Sequence, residues 1–305
     1  MYAENFFKNL EIESAIHIHN TDDREKLTKL LDTLNKIGIK YTFVTEHIHR
    51  LEKNNRREKC LENIEKINQT ESNPKIIFGA EGNITNINGN IDIPQDDEVK
   101  FLIASVHEKQ FNPEELESIK KAEKEQQAKL LTKTIVNAIN SKKIDVIGHP
   151  NRKLLDLDME KLLNWDKIIE AAKKNNVAIE YNLRSPLNQE ILNNIIKQKC
   201  LLAIGIDFHS MKSHRLSDPH DPKITDENYK AYKRIKNKTP EEKSEEEKNF
   251  LEKIENPQTT LEDYRLLFQA IKPLLKLPKE TKKYILNFKT MKEIKEIQQQ
   301  RINNP

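Results

Sequence analysis

The sequence predicts an α/β fold whose strands form a parallel sheet. Short apolar runs alternate with amphipathic helical segments seven times in the first 211 residues of the 305-residue chain. These runs lack polar alternation, as expected for strands that are covered on both faces. Histidines and carboxylates stand where the runs end, and in parallel α/β folds the C-terminal ends of the strands carry the functional site.

The predicted elements follow one another in a regular order. In the first strand, at 14–19, His17 and His19 alternate with Ile16 and Ile18, so the histidines are expected on one face and the isoleucines on the other. Further strands are predicted at 41–46, 75–80, 100–106, 144–148, 177–181 and 201–205. Helices are predicted at 24–37, 51–68, 113–140, 158–174 and 187–199, and Asn88-Gly89 marks a hairpin at 83–93.

The last third of the chain breaks this alternation. Residues 212–258 are rich in Pro, Asp and His and then in Lys and Glu, which is typical of a solvated loop and a charged surface helix. Binding of a partner protein through 212–258 is the alternative interpretation. Apolar stripes return at 261–277 and 290–301 and predict C-terminal helices.

The composition of the chain argues against nucleic-acid binding and against a membrane segment. The chain has 52 Lys and Arg against 49 Asp and Glu, with the two signs interspersed, which argues against a dedicated nucleic-acid groove. Aromatic residues make up only 6%, few for stacking single-stranded bases. Two isolated cysteines, no apolar leader and no run of about 18 apolar residues favour a cytoplasmic protein without a membrane segment.

Histidines and carboxylates from six predicted strands lie at the strand ends. They are His17, His19, His47, Glu81, His107, His149, Asp207 and His209. One such histidine is usually structural, but this number predicts a centre for several metal ions. Mixed nitrogen and oxygen ligands favour Zn, Mn or Fe over Mg or Ca.

The same residues form motifs that resemble those of the PHP (polymerase and histidinol phosphatase) domain family, in particular its small bacterial metal-dependent phosphatases. In chain order they are Ala15-Ile16-His17-Ile18-His19 for Asp-x-His-x-His, Thr45-Glu46-His47 for Thr-Asp-His, Gly79-Ala80-Glu81 for Gly-x-Glu, Ser105-Val106-His107 for Ser-x-His, His149-Pro150 for His-Pro, and Gly205-Ile206-Asp207-Phe208-His209 for Gly-Ser-Asp-x-His. The resemblance covers roughly 14–211 and resumes near 260–298, where 284–287 resembles the family's closing helix.

This resemblance implies a distorted seven-stranded (β/α) barrel of the TIM type. Residues 1–211 would form the barrel core and 212–258 a charged loop and helix insertion. Residues 259–305 would supply the C-terminal helices that complete the barrel.

The resemblance also implies three clustered divalent metal ions. The first would be bound by His17, His19, Glu81 and Asp207. Glu81 would bridge to the second, which His107 and His149 complete. His47 and His209 would bind the third, with a further ligand for which Asp23 is favoured. Glu81, His107 and Asp207 are the residues expected to take part in catalysis.

Some positions depart from the family pattern without removing an implied ligand. Ala15 stands where the motif has an acid, which removes a group expected to orient an imidazole. Glu46 and Ile206 replace an aspartate and a small polar residue. Arg152 and Arg184, which follow strand ends, are expected to bind a substrate phosphate because guanidinium groups bind phosphate through two hydrogen bonds.

The predicted function is hydrolysis of a small phosphomonoester by attack of a metal-bound hydroxide. One alternative is a nuclease-type phosphodiesterase, because the same domain occurs with DNA polymerases. The other is a non-catalytic, metal-binding regulatory protein, which the change at Ala15 would favour.

Overall fold

A closed barrel of seven parallel strands, in chain order, forms the centre of the molecule. The computed structural model describes residues 12–19, 24–36, 38–51, 56–69, 74–92, 98–152, 154, 157–208, 234–235, 237–239, 241–248 and 279–303. The strands are β1 (Ser14–Ile18), β2 (Tyr41–His47), β3 (Lys75–Asn83), β4 (Leu102–Ser105), β5 (Val146–Ile147), β6 (Ala178–Asn182) and β7 (Leu202–Phe208). The predicted α/β barrel of seven strands is therefore confirmed.

Helices cover the outside of the barrel. Those in the described residues are α1 (Arg24–Lys36), α2 (Ile48–Leu51), α3 (Arg56–Asn68), α4 (Pro113–Lys121), α5 (Lys124–Asn140), α6 (Met159–Leu162), α7 (Trp165–Lys174), α8 (Gln189–Lys197) and α9 (Met291–Asn303), with 3-10 turns at Lys279–Tyr284 and Leu286–Phe288. No described helix combines the length and the apolar character that a membrane span requires. Most of the predicted insertion 212–258 and the helix predicted at 261–277 lie outside the described residues, so partner binding through 212–258 stays a prediction.

Two helices predicted as continuous are each divided into two. The helix predicted at 113–140 breaks at Ala122 and Glu123, whose backbones are extended. No glycine or proline marks this break, but the polar stretch 120–126 lacks large apolar residues to continue the buried stripe. The helix predicted at 158–174 breaks at Asn164, whose side chain caps α7 by accepting from the Lys167 N–H.

A single glycine allows the predicted hairpin to pack closely against α5. Ile84 and Ile91 form an antiparallel bridge, and Gly89 has a left-handed φ of +75°. A Cβ on Gly89 would overlap the backbone of α5 at Asn137 and Ala138. Only glycine therefore allows both this turn and this close approach.

An apolar layer fills the amino-terminal half of the barrel. Its buried members are Ile16, Phe43, Phe101, Ile103, Val146, Ala178, Ala203, Leu286 and Ile294. Leu286 comes from the 3-10 turn and Ile294 from α9, so the C-terminal segment closes this end of the barrel. The polar side chains of the strands are left to the opposite, carboxyl-terminal end.

Polar contacts hold the C-terminal segment in place. Asn287 joins β1 to β7, because its side chain accepts from the Ile204 N–H and donates to the carbonyls of Ile204 and Ser14. Below the apolar layer, buried Asp145 accepts from Arg301 at 2.7 Å and from Gln298 at 2.9 Å, both on α9. The described C-terminal segment thus contributes Ile285, Leu286, Asn287, Ile294 and Arg301 to the buried interior.

Candidate metal centre

Six strands bring seven of the predicted ligands together at the carboxyl-terminal end of the barrel. Buried groups that could hold a metal ion are His17, Glu81 and His149; His17, His19 and Asp207; and His19, His47 and Glu81. Within each group the candidate ligand atoms lie within 4.8 Å of one another. The three groups share members, so they form one continuous cluster.

The first strand reaches this cluster through a β-bulge. The register of β1 shifts between Ala15 and Ile18, and His17 has a left-handed φ of +67°. As a result Ile16 and His17 both point into the barrel, while Ile18 packs outside against α1. The expectation that the two isoleucines share a face is therefore wrong, but His17 and His19 do share the interior face.

Left-handed backbone recurs among the candidate ligands. His149 has a φ of +28° and Asp207 a φ of +51°, in addition to His17. Non-glycine residues adopt this region rarely, and such strain concentrates at functional sites. Lys142, Asn176 and Lys199, which follow helices, also have positive φ, so half of the described non-glycine residues in this region are candidate ligands.

Glu81 lies at the middle of the cluster. Its Oε1 is 3.1 Å from His149 Nε2 and 3.5 Å from the Nε2 atoms of His17 and His107. Its Oε2 is 2.7 Å from His47 Nδ1 and 3.6 Å from His19 Nε2. Each oxygen of the carboxylate thus faces a different set of histidines, the arrangement that allows one carboxylate to bridge two ions.

The spacing and burial of these atoms fit a metal ion. Around a tetrahedral ion with bonds of about 2.1 Å, ligand atoms lie about 3.4 Å apart. His17 Nε2 is 3.5 Å from Glu81 and 3.9 Å from Asp207, too far for hydrogen bonds. This nitrogen is fully buried without a hydrogen-bond partner among the described residues, which is costly for a polar atom unless an ion is bound.

The electrostatics of the cluster suit cation binding. Although burial raises it, the pKa of Glu81 is held well below its usual range by His17 and by hydrogen bonds from neighbouring histidines. Burial lowers the pKa of His107 to about 3, so this imidazole is neutral at physiological pH. Burial also lowers the pKa of His17, but the carboxylates of Glu180 and Glu81 raise it well above the ordinary value. A cation that binds His17 Nε2 therefore displaces a proton.

A chain of hydrogen bonds orients His107. Its Nδ1 lies 2.7 Å from the Asn83 Oδ1, which can only accept, so the proton is on Nδ1 and Nε2 is directed at Glu81. Asn83 in turn donates to Asp92 in the hairpin. Neither Asn83 nor Asp92 was predicted as a site residue; the position of Asn83, two residues beyond Glu81 on one strand face, was the available signal.

The predicted phosphate ligands lie at the open side of the cluster. Arg152 Nη2 contacts Asp207 Oδ2, and Arg184 Nη1 lies 3.7 Å from the same oxygen. Asn182 Oδ1 accepts a hydrogen bond from the Arg184 N–H at 2.9 Å and lies 3.5 Å from Arg152 Nη2. Both arginine side chains are partly exposed, as is His107, whereas His17 and His149 are buried.

Two predicted ligands lie outside the described residues: Asp23 and His209. In the cluster as described, His47 lies with His19 and Glu81. The assignment of His47, His209 and Asp23 to a third ion stays a prediction.

Glu180 is a further buried carboxylate that the sequence analysis missed. Its Oε1 lies 2.5 Å from His17 Nδ1, and its Oε2 accepts from the His149 N–H at 2.5 Å. The signal was present, because a glutamate within the apolar run 177–181 must find a buried partner.

Comparisons with known proteins find relatives but no matching family model. The chain is 26% identical to the DNA polymerase/3'-5' exonuclease PolX of Bacillus subtilis over 66% of this chain and 35% of that protein. It is 27% identical to a probable phosphatase of Clostridium acetobutylicum, over 55% and 63% of the two chains. It is 31% identical to a probable phosphatase of Caldanaerobacter subterraneus, over 44% and 51%. The chain thus covers less than two thirds of each of these relatives.

The fold and the cluster together define a class of protein: a parallel (β/α) barrel whose carboxyl-terminal end gathers histidines and carboxylates that could bind metal ions. With the six motifs in order along the barrel, the similarity to these relatives supports the resemblance of the chain to the PHP family.

Proposed function

We propose that the chain is a metal-dependent phosphoesterase that hydrolyses a small phosphomonoester, like the small bacterial phosphatases of the family it resembles. The observation that carries this proposal is the buried Glu81 carboxylate, whose two oxygens face separate sets of histidines. The relatives named as probable phosphatases support phosphate esters as the substrate class.

The proposed ligands follow the family pattern. His17, His19, Glu81 and Asp207 bind one ion, and Glu81, His107 and His149 bind a second. His47 belongs to a third with His209 and Asp23. This donor set suits Zn, Mn or Fe. When bound, such ions lower the pKa of water and neutralise charge that develops on the phosphoryl oxygens.

The protein's own residues bind and orient the ester. Arg152 and Arg184 converge on Asp207 Oδ2 from the exposed side of the cluster, where two guanidinium groups can bind phosphoryl oxygens. Asn182 Oδ1 holds the backbone of Arg184 and lies 3.5 Å from Arg152 Nη2, so it contributes to the orientation of both residues. His107, neutral and oriented by Asn83, is the candidate ligand that lies nearest to the substrate side.

Phosphate release tests this proposal. The purified protein is expected to contain divalent metal and to release phosphate from at least one member of a panel of sugar phosphates, nucleotides and histidinol phosphate. A double variant, H107A/H149A, should lose metal and release phosphate more than about 100-fold more slowly. The control R57A, which removes one partner of the exposed Arg57–Glu98 pair on α3, should match the parent. Equal rates in H107A/H149A and parent would refute the assigned centre.

The same assay tests the arginines. R152A and R184A should each raise KM and lower kcat/KM about 10- to 100-fold, because a hydrogen bond to a charged group contributes about 1.5–3 kcal/mol. Metal content should stay at the parental level. An unchanged KM in both variants, with R57A as the control, would exclude them as phosphate ligands.

A phosphodiester substrate is the second candidate function. It is favoured by the match to the Bacillus subtilis protein, whose name includes a 3'-5' exonuclease and which matches the chain over 66% of its length. A single-stranded oligonucleotide in the same panel separates the two, since cleavage faster than that of any monoester would replace the phosphatase. Metal binding without turnover of any ester would instead favour a regulatory protein.

A further inference from the structure

Glu180 has an unusual place among the buried carboxylates of the barrel. It is fully buried on β6, inside the barrel beside the candidate metal centre. Its Oε1 lies 2.5 Å from His17 Nδ1, and its Oε2 accepts from the His149 N–H at 2.5 Å and from Asn182 Nδ2 at 3.2 Å. None of the candidate metal groups in the described residues includes it. Glu180 therefore contacts ligands rather than an ion.

The barrel interior leaves room for this carboxylate. A Cβ on Gly205, on the neighbouring strand β7, would overlap Glu180 Oε1, Cδ and Cγ. Any other residue at position 205 would therefore displace the carboxylate from His17. The missing side chain of Gly205 on β7 therefore leaves the space that the Glu180 carboxylate on β6 occupies.

At position 15 this chain lacks an acid that the family resemblance implies for orienting an imidazole. Ala15 does not face the interior: it packs on the outer side of β1 in the cluster with Leu27 and Leu30 of α1. The orienting partner of His17 comes instead from across the barrel, on β6. Glu180 thus provides a contact that the first motif of this chain lacks.

We propose that Glu180 is a positioning residue for metal binding, an inference that rests on the proposed metal centre and deepens it. By accepting the Nδ1 proton of His17, it leaves the Nε2 lone pair directed at Glu81 and Asp207. Through its second oxygen it holds the backbone of His149. His17 and His149 both have left-handed backbone, and both belong to one candidate group with Glu81. One carboxylate therefore fixes a ligand of each of the two ions that Glu81 is proposed to bridge.

Metal affinity of E180Q tests the proposal. The amide has one acceptor where the carboxylate accepts from both His17 and His149, so one ligand loses its hydrogen bond. We expect the affinity for Zn²⁺ or Mn²⁺, measured by competition with a chelator, to fall about 10- to 100-fold. The visible spectrum of the Co²⁺-loaded protein should also change, because it reports ligand geometry.

D145N is the matched control. Asp145 is also a buried carboxylate that accepts a backbone N–H, from Leu102, but it lies at the opposite end of the barrel. D145N should lower the melting temperature of the metal-free protein and leave metal affinity and the Co²⁺ spectrum unchanged. Parental metal affinity in E180Q would overturn the proposal, as would an equal loss of affinity in D145N.

A second variant, G205A, tests the proposal independently in case E180Q does not fold. G205A keeps the Glu180 side chain but forces its carboxylate away from His17, and it should reproduce the loss of metal affinity. Parental affinity in G205A would overturn the proposal. If the parent binds metal but hydrolyses no ester, the proposed function fails while the positioning effect is still measured; if the parent binds no metal, both are refuted.

Discussion

Backbone strain at His17, His149 and Asp207 separates these residues from their neighbours. A non-glycine residue in a sparsely populated region of φ and ψ costs about 1–3 kcal/mol and persists only when its surroundings hold it. Here Glu180 holds His17 and His149, and Arg152 contacts Asp207. At these three residues, the surrounding contacts hold a strained backbone conformation that directs the side chain into the cluster.

Glycine should reveal this strain at His149. We expect H149G to be more stable than H149A by about 1 kcal/mol in urea unfolding with chelator present, because glycine accepts a positive φ. At Thr42, on β2 and without positive φ, the order should reverse, with T42A more stable than T42G. The same order at both positions would show that His149 is not strained.

At the level of elements, the join between β1 and β7 depends on the C-terminal segment. The first and last strands of a barrel meet only in the folded chain, and Asn287 bonds to backbone groups of both. The backbone carbonyl of Asn287 also accepts from the Glu13 N–H. This amide thus ties the chain's early and late segments together.

Removal of the Asn287 side chain should destabilise the barrel. N287A leaves buried backbone groups of Ser14 and Ile204 without their partner, and we expect a loss of about 2–4 kcal/mol in the free energy of unfolding. N193A, on the exposed face of α8, should change it by less than about 0.5 kcal/mol. Urea titration followed by circular dichroism measures both. A loss below 1 kcal/mol in N287A would contradict this account of barrel closure.

Much of this architecture could be predicted, and the misses have physical causes. Apolar runs ending in His, Glu or Asp located the strands and the seven described candidate ligands, because parallel strands bring those ends together. The bulge at His17 was not visible, since no glycine marks its positive φ. The partnership of Glu180 with His17 joins residues 163 positions apart, and no local pattern encodes it. The break at Ala122 likewise lacks a helix-breaking residue.

At the scale of the whole molecule, the two ends of the barrel differ: one is packed with apolar side chains and the other holds the candidate metal centre. The amino-terminal end is filled by the apolar layer and closed by α9 with the Asp145–Arg301 pair, which is buried. The carboxyl-terminal end holds a cluster of histidines and carboxylates that is costly to bury without an ion. Stability and metal binding are therefore expected to respond to different substitutions.

Thermal unfolding should show this division. Zn²⁺ or Mn²⁺ at about 100 times its dissociation constant should stabilise the parent by about 2.7 kcal/mol per site, raising its melting temperature by several degrees. D145N should melt lower than the parent without metal yet show the same metal-induced rise. H107A/H149A should show a much smaller rise. An equal rise in H107A/H149A would place the ions elsewhere.

The filled amino-terminal end also bears on the side from which ions and a substrate would reach the cluster. Aromatic and aliphatic side chains fill the amino-terminal end, so in the described part of the chain the partly exposed side of the cluster is the one at His107, Arg152 and Arg184. Under the proposed function, an ester bound there would cover the route by which an ion leaves. Exchange of the ion would then take place only between one turnover and the next.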